Sequence, residues 1–567
     1  MPAKSIGPAV IARRAVLGLC ALSLLAPIAR AEPAPQPADL TATVDAIFKD
    51  YVGQPGCNVG VARSGELILE RSYGLADVAN EVPLGPETRF DIGSMSKQFT
   101  AAAVLILADQ GKIGLDDDIH KYVPELPNYG VKVSLRQMLH HTSGIMDDYE
   151  LLKLSGWVYG DAVSERDGLW ALTRMPKLNF APGTRESYSN ANYVLLALVV
   201  ARVSGQPFAA YLQSTIFGPL GMTHTMLPGD YTVVVPHMAR AYLVHGAPQL
   251  MENRGSGGGA GGIVTTVGDL VLWERNFDDP KVGGAKVMAE MQAVEPLADG
   301  SPNNYAAGLF IRSYRGLRAV EHDGGDGGFI SDKLRFPSAG LTFIALCNRR
   351  DPAIEIRKLH QVADLYLGLP PEGPGTGQAG ASAAAPKWPA TDLADLAGAY
   401  LSADRSGFHI FAVKNAGLVD EEDAPYRRTG RFEFKDARGV TYRFVLEHGV
   451  ATAVERQVAD SKAAPVRWAR MPPPLSDLRE YAGMYVSPEL VTAWCVEATD
   501  KGGLVLRRKR FQDEPVEPAW RDAFDMEGAA YFDRMDNRIT GFTLRSDRLS
   551  GGVRFIREKH EGACTPY

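Results

Sequence analysis

One short stretch, residues 89–100, constrains what this chain can fold into. Its residues are strand-like up to Phe90, pass through Gly93 and then become an apolar segment with helical spacing that begins near Ser94. Glycine lets the backbone turn sharply at such a junction, and Gly111 is placed to end the helix. The stretch therefore predicts a strand, a tight turn and a helix, one stripe of which faces a core.

The same stretch contains the pattern Ser-x-x-Lys at Ser94 and Lys97. Residues three apart share one face of a helix, so the lysine amine comes within reach of the serine hydroxyl. The positive end of the helix dipole is expected to lower the pKa of Lys97 towards its neutral form. A neutral amine beside a hydroxyl is a base beside a nucleophile. Alone the pattern is weak, because a capped helix with a solvated lysine has the same residues.

Length and composition limit the class of protein. The chain has 567 residues, enough for about three to four domains. Its 45% hydrophobic and 22% charged residues are typical of globular proteins that bury a core. The formal net charge is −7 and there is no dense block of lysine and arginine, which argues against nucleic acid as a partner.

Residues 1–31 have the organisation of an export signal peptide. A basic start is followed by an apolar run from Ala15 to Ile28 and by the small-x-small sequence Ala29-Arg30-Ala31. The run is too short for a comfortable membrane span. We therefore expect a periplasmic or secreted protein with no stable membrane span after cleavage.

Four cysteines follow the signal: Cys57, Cys347, Cys495 and Cys564. In an oxidising compartment they can pair as Cys57–Cys347 and Cys495–Cys564. Four free buried thiols are the alternative, because connectivity cannot be read from a sequence.

The order of predicted elements divides the mature chain. Residues 36–369 run from a strand hairpin through helices to strands and a last helix, which predicts an α+β domain with an antiparallel sheet flanked by helices. Residues 370–390 are rich in Pro, Gly and Ala and indicate a linker. Residues 391–472 and 476–567 open on similar sequences, LADLAGAY and LREYAGMY, and each is long enough for a small barrel. We predict two β-barrels, the second lipocalin-like, with one larger β domain as the alternative.

Two further patterns accompany Ser94 and Lys97. Tyr188-Ser189-Asn190 brings a tyrosine and an amide just ahead of a helix, and His322-Asp323-Gly324 sets glycine beside a histidine, where a strand can approach a ligand closely. With the flanking segments LHHTSG and IFGPLGM, these ordered motifs resemble the penicillin-recognising serine hydrolases, the family of class C β-lactamases, D,D-carboxypeptidases, D-aminopeptidases and esterases. The resemblance covers residues 40–369 and is closest to D-aminopeptidases with one catalytic domain and two C-terminal β-barrels.

The resemblance implies a role for each motif. Ser94 would attack a carbonyl carbon to form an acyl-enzyme, and Lys97 and Tyr188 would share general-base duty, with Tyr188 returning a proton to the leaving group. Backbone N–H groups of Ser94 and Gly325 would form the oxyanion hole. The substrate-binding and oxyanion residues implied in this way are Asn190, His322, Gly324 and Gly325.

The third motif separates this chain from the β-lactamases of the family, which have a lysine suited to a drug's carboxylate. His322 is mostly neutral near pH 7, so peptidase or esterase action is favoured over β-lactam hydrolysis. We expect a serine hydrolase for peptide or amide bonds next to D-amino acids, such as those in fragments derived from peptidoglycan. The alternatives are a carboxylesterase or weak β-lactamase on the same scaffold, and a non-catalytic peptidoglycan-binding protein.

Other chemistries have little support in the sequence. His140 and His141 are adjacent, so their rings point apart, and no acidic or cysteine partner lies at ligand spacing; no metal or cofactor is predicted. No serine lies in a G-x-S-x-G pattern, which argues against the α/β-hydrolase fold.

Overall fold

The computed structural model describes residues 37–255, 258–370, 393–403, 408–414, 417–420, 424–436, 439–458 and 464–558. The predicted signal peptide, all but the first residue of the predicted linker, and Cys564 lie outside these residues, so the Cys495–Cys564 pairing does too. No single helix among the described residues is long and apolar enough to cross a membrane, although Asn190–Ser204 and Phe208–Leu220 pass that test together as a bent pair.

The first region, up to residue 370, combines helices and strands. Its helices are α1 (Pro37–Ile47), α2 (Lys97–Asp109), α3 (Leu135–Leu139), α4 (Asp148–Leu154), α5 (Glu165–Leu172), α6 (Asn190–Ser204), α7 (Phe208–Leu212), α8 (Gly218–Leu220), α9 (Val267–Asp278), α10 (Gly284–Glu290) and α11 (Pro352–Leu367). Its strands are β1 (Cys57–Arg63), β2 (Glu66–Tyr73), β3 (Leu75–Asp77), β4 (Val82–Pro83), β5 (Phe90–Asp91), β6 (Ala162–Val163), β7 (Tyr242–His245), β8 (Ala247–Leu250), β9 (Arg254–Gly255), β10 (Val264–Thr265), β11 (Phe310–Tyr314), β12 (Leu317–Asp326), β13 (Phe329–Phe336), β14 (Leu341–Cys347) and β15 (Arg349–Arg350).

The main sheet of this region has the order β11-β12-β13-β14-β1-β2, and every neighbouring pair is antiparallel. The predicted hairpin is its β1–β2 pair. Strand residues alternate between two apolar clusters: α1 and α11 pack on one face, and α2 and α9 lie on the other. Cys57 and Cys347 are directly opposite each other on β1 and β14 and form a disulfide. The α+β architecture expected from the order of elements is confirmed.

Helix α2 lies in the middle of the apolar cluster rather than at its edge. Every side chain from Lys97 to Leu107 is buried, whereas the sequence predicted a single core-facing stripe. The reason is compositional: the segment FTAAAVLILA is apolar or small on all sides, which is typical of a fully buried helix. Ser94 therefore precedes a helix that is fixed on all sides.

Two β domains follow. The strands of the first are β16 (Gly398–Ser402), β17 (Phe408–Lys414), β18 (Gly417–Val419), β19 (Arg427–Gly430), β20 (Glu433–Lys435), β21 (Thr441–Glu447), β22 (Val450–Gln457) and β23 (Val466–Arg470). They form one sheet, whose terminal strands β18 and β19 approach each other through a bridge between Val419 and Pro425. The strands of the second are β24 (Gly483–Ser487), β25 (Thr492–Ala498), β26 (Leu504–Arg507), β27 (Glu514–Trp520), β28 (Ala523–Asp525), β29 (Ala529–Met535), β30 (Arg538–Arg545) and β31 (Val553–Arg557), which form a closed barrel. Two β-barrel domains are therefore present.

The closed barrel is packed directly against the first region. Its core is continuous with the cluster around α2, and the Trp494 indole donates to the Leu154 carbonyl at 3.3 Å. The Asn179 side chain donates to the Arg548 carbonyl and accepts from the Gly551 N–H, both at 2.8 Å. These contacts fix the barrel turn that contains Arg548 against the loops of the first region.

We expect Lys333→Met to destabilise the first region strongly. Lys333 on β13 is fully buried and pairs with the buried Glu274 of α9 at 2.8 Å. Removing one partner of a buried pair costs about 3–5 kcal/mol, and Arg335, whose Nε is 3.8 Å from Glu274 Oε2, compensates the remaining carboxylate only in part. Urea unfolding monitored by circular dichroism measures the loss. Lys286→Met, which breaks an exposed pair with Asp109, is the control; equal losses in both variants would contradict the prediction.

Candidate active site

Ser94 and Lys97 come together at the start of α2. Residues Gly93–Ser96 form a 3₁₀ turn and Lys97 opens the α-helix, so Lys97 Nζ lies 3.0 Å from Ser94 Oγ. Burial lowers the pKa of Lys97 to about 7, while the negative charge of Asp147 acts in the opposite direction. A base is therefore present beside the hydroxyl. The main cause of its lowered pKa is desolvation, whereas the sequence analysis had expected the helix dipole to lower it.

Three oxygen atoms surround the Lys97 amine and decide how it is used. Besides Ser94 Oγ, Nζ contacts Asn190 Oδ1 at 2.9 Å and the Ala260 carbonyl at 2.7 Å. A neutral amine has two N–H donors and one lone pair. The two carbonyl oxygens can only accept, so they take both N–H groups and leave the lone pair for the Ser94 O–H. In its neutral form, Lys97 is thus oriented to accept the proton of Ser94.

Asn190 holds this arrangement in place through Asp147. Its backbone N–H and its Nδ2 donate to Asp147 Oδ2 at 2.8 and 3.0 Å, which turns Oδ1 towards Lys97. Asp147 is fully buried and also caps α4 by accepting from the Glu150 N–H. The family resemblance implies a substrate-binding role for Asn190, and in the structure this residue lines the cavity and also positions Lys97.

Tyr188 lies next to this cluster with a protonated phenol. Lys97 Nζ is 4.8 Å from the centre of its ring, and its buried hydroxyl has no hydrogen bond of good geometry among the described residues. Burial raises the pKa of Tyr188 well above its ordinary value, and the nearby Ser94 side chain opposes this. The raised pKa keeps the phenol protonated, so Tyr188 holds a proton that can pass to a leaving group, whereas the neutral Lys97 amine can take one.

His141 supports the ring of Tyr188 from behind. The two ring centres are 4.3 Å apart, and His141 Nδ1 accepts from the Ser189 N–H and from Asn192 Nδ2. Burial, followed by the charge of Lys97, holds the pKa of His141 well below its ordinary range. His140 points elsewhere, towards the Tyr305 carbonyl. The sequence analysis rejected this pair as metal ligands and used it as part of the flanking segment LHHTSG, but it missed the contact of His141 with Tyr188.

Strand β12 reaches the Ser94 turn at a point where only glycine fits. A Cβ on Gly324 would lie 2.0 Å from the Ile92 carbonyl oxygen, and a Cβ on Gly93, which has a φ of +49°, would lie 2.6 Å from Gly325 N. Gly325 lines the cavity together with Ser94. The close approach brings the backbone of Gly325 beside that of Ser94, as an oxyanion hole from these two residues requires.

His322 lies behind the cavity and does not line it. Its Nδ1 donates to the Asp323 carbonyl at 2.5 Å and its Nε2 accepts from the Tyr305 hydroxyl at 3.0 Å. Burial, with a further contribution from Lys97, lowers the pKa of His322 to about 3, so the imidazole is neutral. Its ring centre is 6.4 Å from that of Tyr188. Contact between His322 and a substrate at the opposite wall, which the sequence implied, would require a rearrangement of this packing.

The cavity in front of Ser94 has a volume of about 550 Å³ and contains charges of both signs. Burial and then the neighbouring Asp147 raise the pKa of Asp148 to about 7, and burial raises the pKa of Asp326. Arg350 and Arg548 are the arginines among the described lining residues. Arg548 comes from the turn between β30 and β31, and its Nη1 is 3.8 Å from Asp147 Oδ2. No local sequence pattern connects these charged residues with Ser94.

The pH dependence of catalysis is expected to follow Lys97. The amine acts as a base only when it is neutral, so kcat/KM should fall as the pH drops below about 7, with no descending limb from Tyr188 below about pH 10. A pH profile of kcat/KM between pH 5 and 10 measures this. Because Asp148 titrates in the same range, Asp148→Asn is the matched control, and disappearance of the limb in that variant would assign it to Asp148 instead.

Comparison with known protein families identifies the family of this chain. The family model described as Beta-lactamase matches residues 44–404, more than half of the chain. The chain belongs to the β-lactamase family of hydrolases.

Relatives of this β-lactamase-family protein include D-aminopeptidases. One from Brucella ovis is 28% identical over 369 residues, which are 65% of this chain and 69% of the relative. One from Gluconobacter oxydans is 28% identical over 340 residues, 59% of this chain and 63% of the relative. The octameric penicillin-binding protein homologue from Pyrococcus abyssi shares the fold, with a TM-score of 0.53 and 20% identity over 76% of this chain and 99% of that chain.

Proposed function

We propose that this protein is an exported serine hydrolase that cleaves amide or peptide bonds next to a D-amino acid through an acyl-enzyme. The observation that carries the proposal is the buried amine of Lys97, whose Nζ lies 3.0 Å from Ser94 Oγ. The D-aminopeptidases among the relatives support the choice of substrate. The export signal predicted at residues 1–31 supports the location, and cell fractionation with N-terminal sequencing of the mature protein tests it.

The proposed reaction follows from the protonation states. Ser94 Oγ attacks the substrate carbonyl while its proton passes to Lys97, and the N–H groups of Ser94 and Gly325 stabilise the oxyanion. As the C–N bond breaks, Tyr188 gives its proton to the leaving amine and recovers one from the Lys97 ammonium. Lys97 is then neutral again and activates water to hydrolyse the ester on Ser94.

The charges in the cavity favour small, charged substrates. Asp148 and Asp326 would attract the ammonium group of a D-aminoacyl amide. Arg350 and Arg548 line the same cavity and favour a second candidate, D,D-carboxypeptidase action on a peptide with a free carboxylate.

A substrate panel separates these possibilities. The purified protein is incubated with D- and L-alanine amide, D- and L-alanine p-nitroanilide, an acylated D-Ala-D-Ala peptide, p-nitrophenyl butyrate and nitrocefin, and Ser94 is analysed for an acyl adduct by mass spectrometry. We expect a preference of at least about 100-fold for D over L substrates. Rapid hydrolysis of the ester without any amide turnover would indicate an esterase, and nitrocefin turnover a β-lactamase. The absence of turnover and of adduct would favour peptidoglycan binding without catalysis.

Arg548→Ala is expected to discriminate between the two peptidase candidates. The Arg548 side chain is 41% exposed, so its attraction for a carboxylate is partly screened and the KM for the acylated D-Ala-D-Ala peptide should rise only about threefold to tenfold. The kcat for neutral ester substrates should change little. Arg538→Ala, on the same barrel but outside the cavity, is the control. An unchanged KM for every carboxylate-bearing peptide would show that Arg548 is not used for recognition.

A further inference from the structure

A second cavity, of about 510 Å³, lies between the first region and the closed barrel. One wall is the segment between α4 and α5, through Ser155, Trp157 and Asp161, and the other is the barrel segment 508–511 with Trp494. The α4–α5 segment also lines the cavity in front of Ser94, through Tyr159 and other residues. The two cavities therefore share one piece of chain but have different chemistry.

The chemistry of the second cavity is dominated by Arg508. Its side chain is 3% exposed, and Nη2 donates to Glu514 Oε1 at 2.7 Å and to Glu527 Oε1 at 2.6 Å. Its Nε and Nη1 have no hydrogen-bond partner among the described residues. A guanidinium has five N–H donors, so three of them are buried without an acceptor. Such donors are rare in folded proteins and cost free energy unless a ligand, an ion or water supplies the acceptor.

Aromatic rings hold this guanidinium and extend the surface beside it. Arg508 Cζ is 4.0 Å from the ring centre of Phe511 and 5.3 Å from that of Trp494. Trp157 lines the facing wall. A flat apolar group entering the cavity would thus meet an aromatic surface on the first region while its polar end approached the barrel.

The remaining charges make the barrel wall positive. Arg510 forms two hydrogen bonds with Asp161, at 2.8 and 2.5 Å, which neutralise both and join the two walls. Glu527, one of the two carboxylates on Arg508, also pairs with Lys153. Lys509 is exposed and has no ion pair among the described residues. The unsatisfied edge of Arg508 and the charge of Lys509 therefore favour an anion.

We propose that this second cavity binds a carboxylate carried on a flat apolar body, either an aromatic ring or a sugar face. Nε and Nη1 of Arg508 are closed to water in this structure, so a side-chain shift must open them before the carboxylate accepts from them. Lys509 lies nearby, and the body packs on Trp157. The site is distinct from the Ser94 cavity, and the proposal does not rest on the peptidase function proposed above.

Titration calorimetry on the full-length protein at constant ionic strength tests the proposal. Benzoate and glucuronate are the aromatic and sugar carboxylates, and benzamide is the neutral match of benzoate. We expect at least one carboxylate to bind at least tenfold more tightly than benzamide. Tighter binding of benzoate would identify the apolar body as an aromatic ring, and tighter binding of glucuronate would identify it as a sugar face. Absence of binding by both carboxylates at about 10 mM would overturn the proposal.

Variants assign the binding to this cavity. Lys509→Glu reverses an exposed charge and should weaken binding about tenfold, whereas Lys501→Glu, an exposed lysine of the same barrel outside the cavity, should not change it. Arg508→Lys keeps the charge but removes the planar fork and should weaken binding at least as much. If Arg508→Lys does not fold, the affinity of Lys509→Glu alone decides whether the carboxylate binds in this cavity. Unchanged affinity in Lys509→Glu would place the anion elsewhere, for example beside Arg548 in the Ser94 cavity, and would overturn the proposal.

Discussion

Ser94→Ala should lower kcat/KM by about 10⁴-fold to 10⁶-fold and should abolish the acyl adduct. The hydroxyl is the group whose proton the Lys97 lone pair is oriented to accept, and removing the nucleophile of a serine hydrolase leaves only the contribution of binding and the oxyanion hole. Progress curves on the best D-amino acid substrate measure the loss, and mass spectrometry of the quenched enzyme measures the adduct.

Ser96→Ala is the matched control for this prediction. Ser96 lies in the same 3₁₀ turn, but its Oγ accepts from the Ile263 N–H at 3.2 Å and is buried away from the cavity. Its loss should cost stability and less than about tenfold in kcat/KM. Turnover by Ser94→Ala above about 1% of the wild-type rate, with an intact adduct, would mean that another residue is the nucleophile.

The parts of the site that are local in sequence could be predicted well. Ser94 and Lys97 are three residues apart, and Tyr188 and Asn190 two apart, so each pair is positioned by a single turn of backbone. Some elements of the fold could be predicted in the same way, because hydrophobic periodicity and turn residues determine them directly. These are the hairpin β1–β2, strand β14 and helix α11.

The parts that depend on tertiary packing could not be predicted in this way. The pKa of Lys97 is set by burial of α2 on all sides, which a stripe-based interpretation of residues 97–107 missed. Asp147 orients Asn190 from a different helix, and Arg548 reaches the cavity from a turn far along the chain. These residues carry no motif, because what makes them functional is their position in the folded chain.

The packing of the closed barrel also changes how its role can be tested. Deleting residues 391–567 would be a direct test of whether the two β domains limit the size of the substrate. The cluster around α2 continues into the barrel through Trp494 and Leu549, so the deletion would expose an apolar surface and destabilise the first region. Point substitutions at Arg548 alter the cavity and leave that core intact, which makes them the better experiment.

Lys97→Met should lower kcat/KM by about 10³-fold or more and remove the limb near pH 7. Methionine retains much of the length of the lysine stem but has no lone pair for the Ser94 proton, and general-base catalysis typically contributes 10²-fold to 10⁴-fold. The substitution removes the cost of burying an amine and leaves Asn190 Oδ1 and the Ala260 carbonyl without a donor. These effects oppose each other, so the thermal midpoint should change little.

Lys333→Met is the matched control, because Lys333 is also completely buried. The difference lies in the partners: Lys333 faces the carboxylate of Glu274 at 2.8 Å, whereas the Lys97 amine contacts one hydroxyl and two carbonyl oxygens. Lys333→Met should lose stability and keep most of its activity per folded molecule. Lys97→Met should keep its stability and lose most of its activity. If Lys97→Met retained more than about 10% of wild-type kcat/KM, Tyr188 would have to be the base despite its raised pKa. If both variants lost stability alike, the uncharged hydrogen-bond partners of Lys97 would not explain why its amine can be removed without loss of stability.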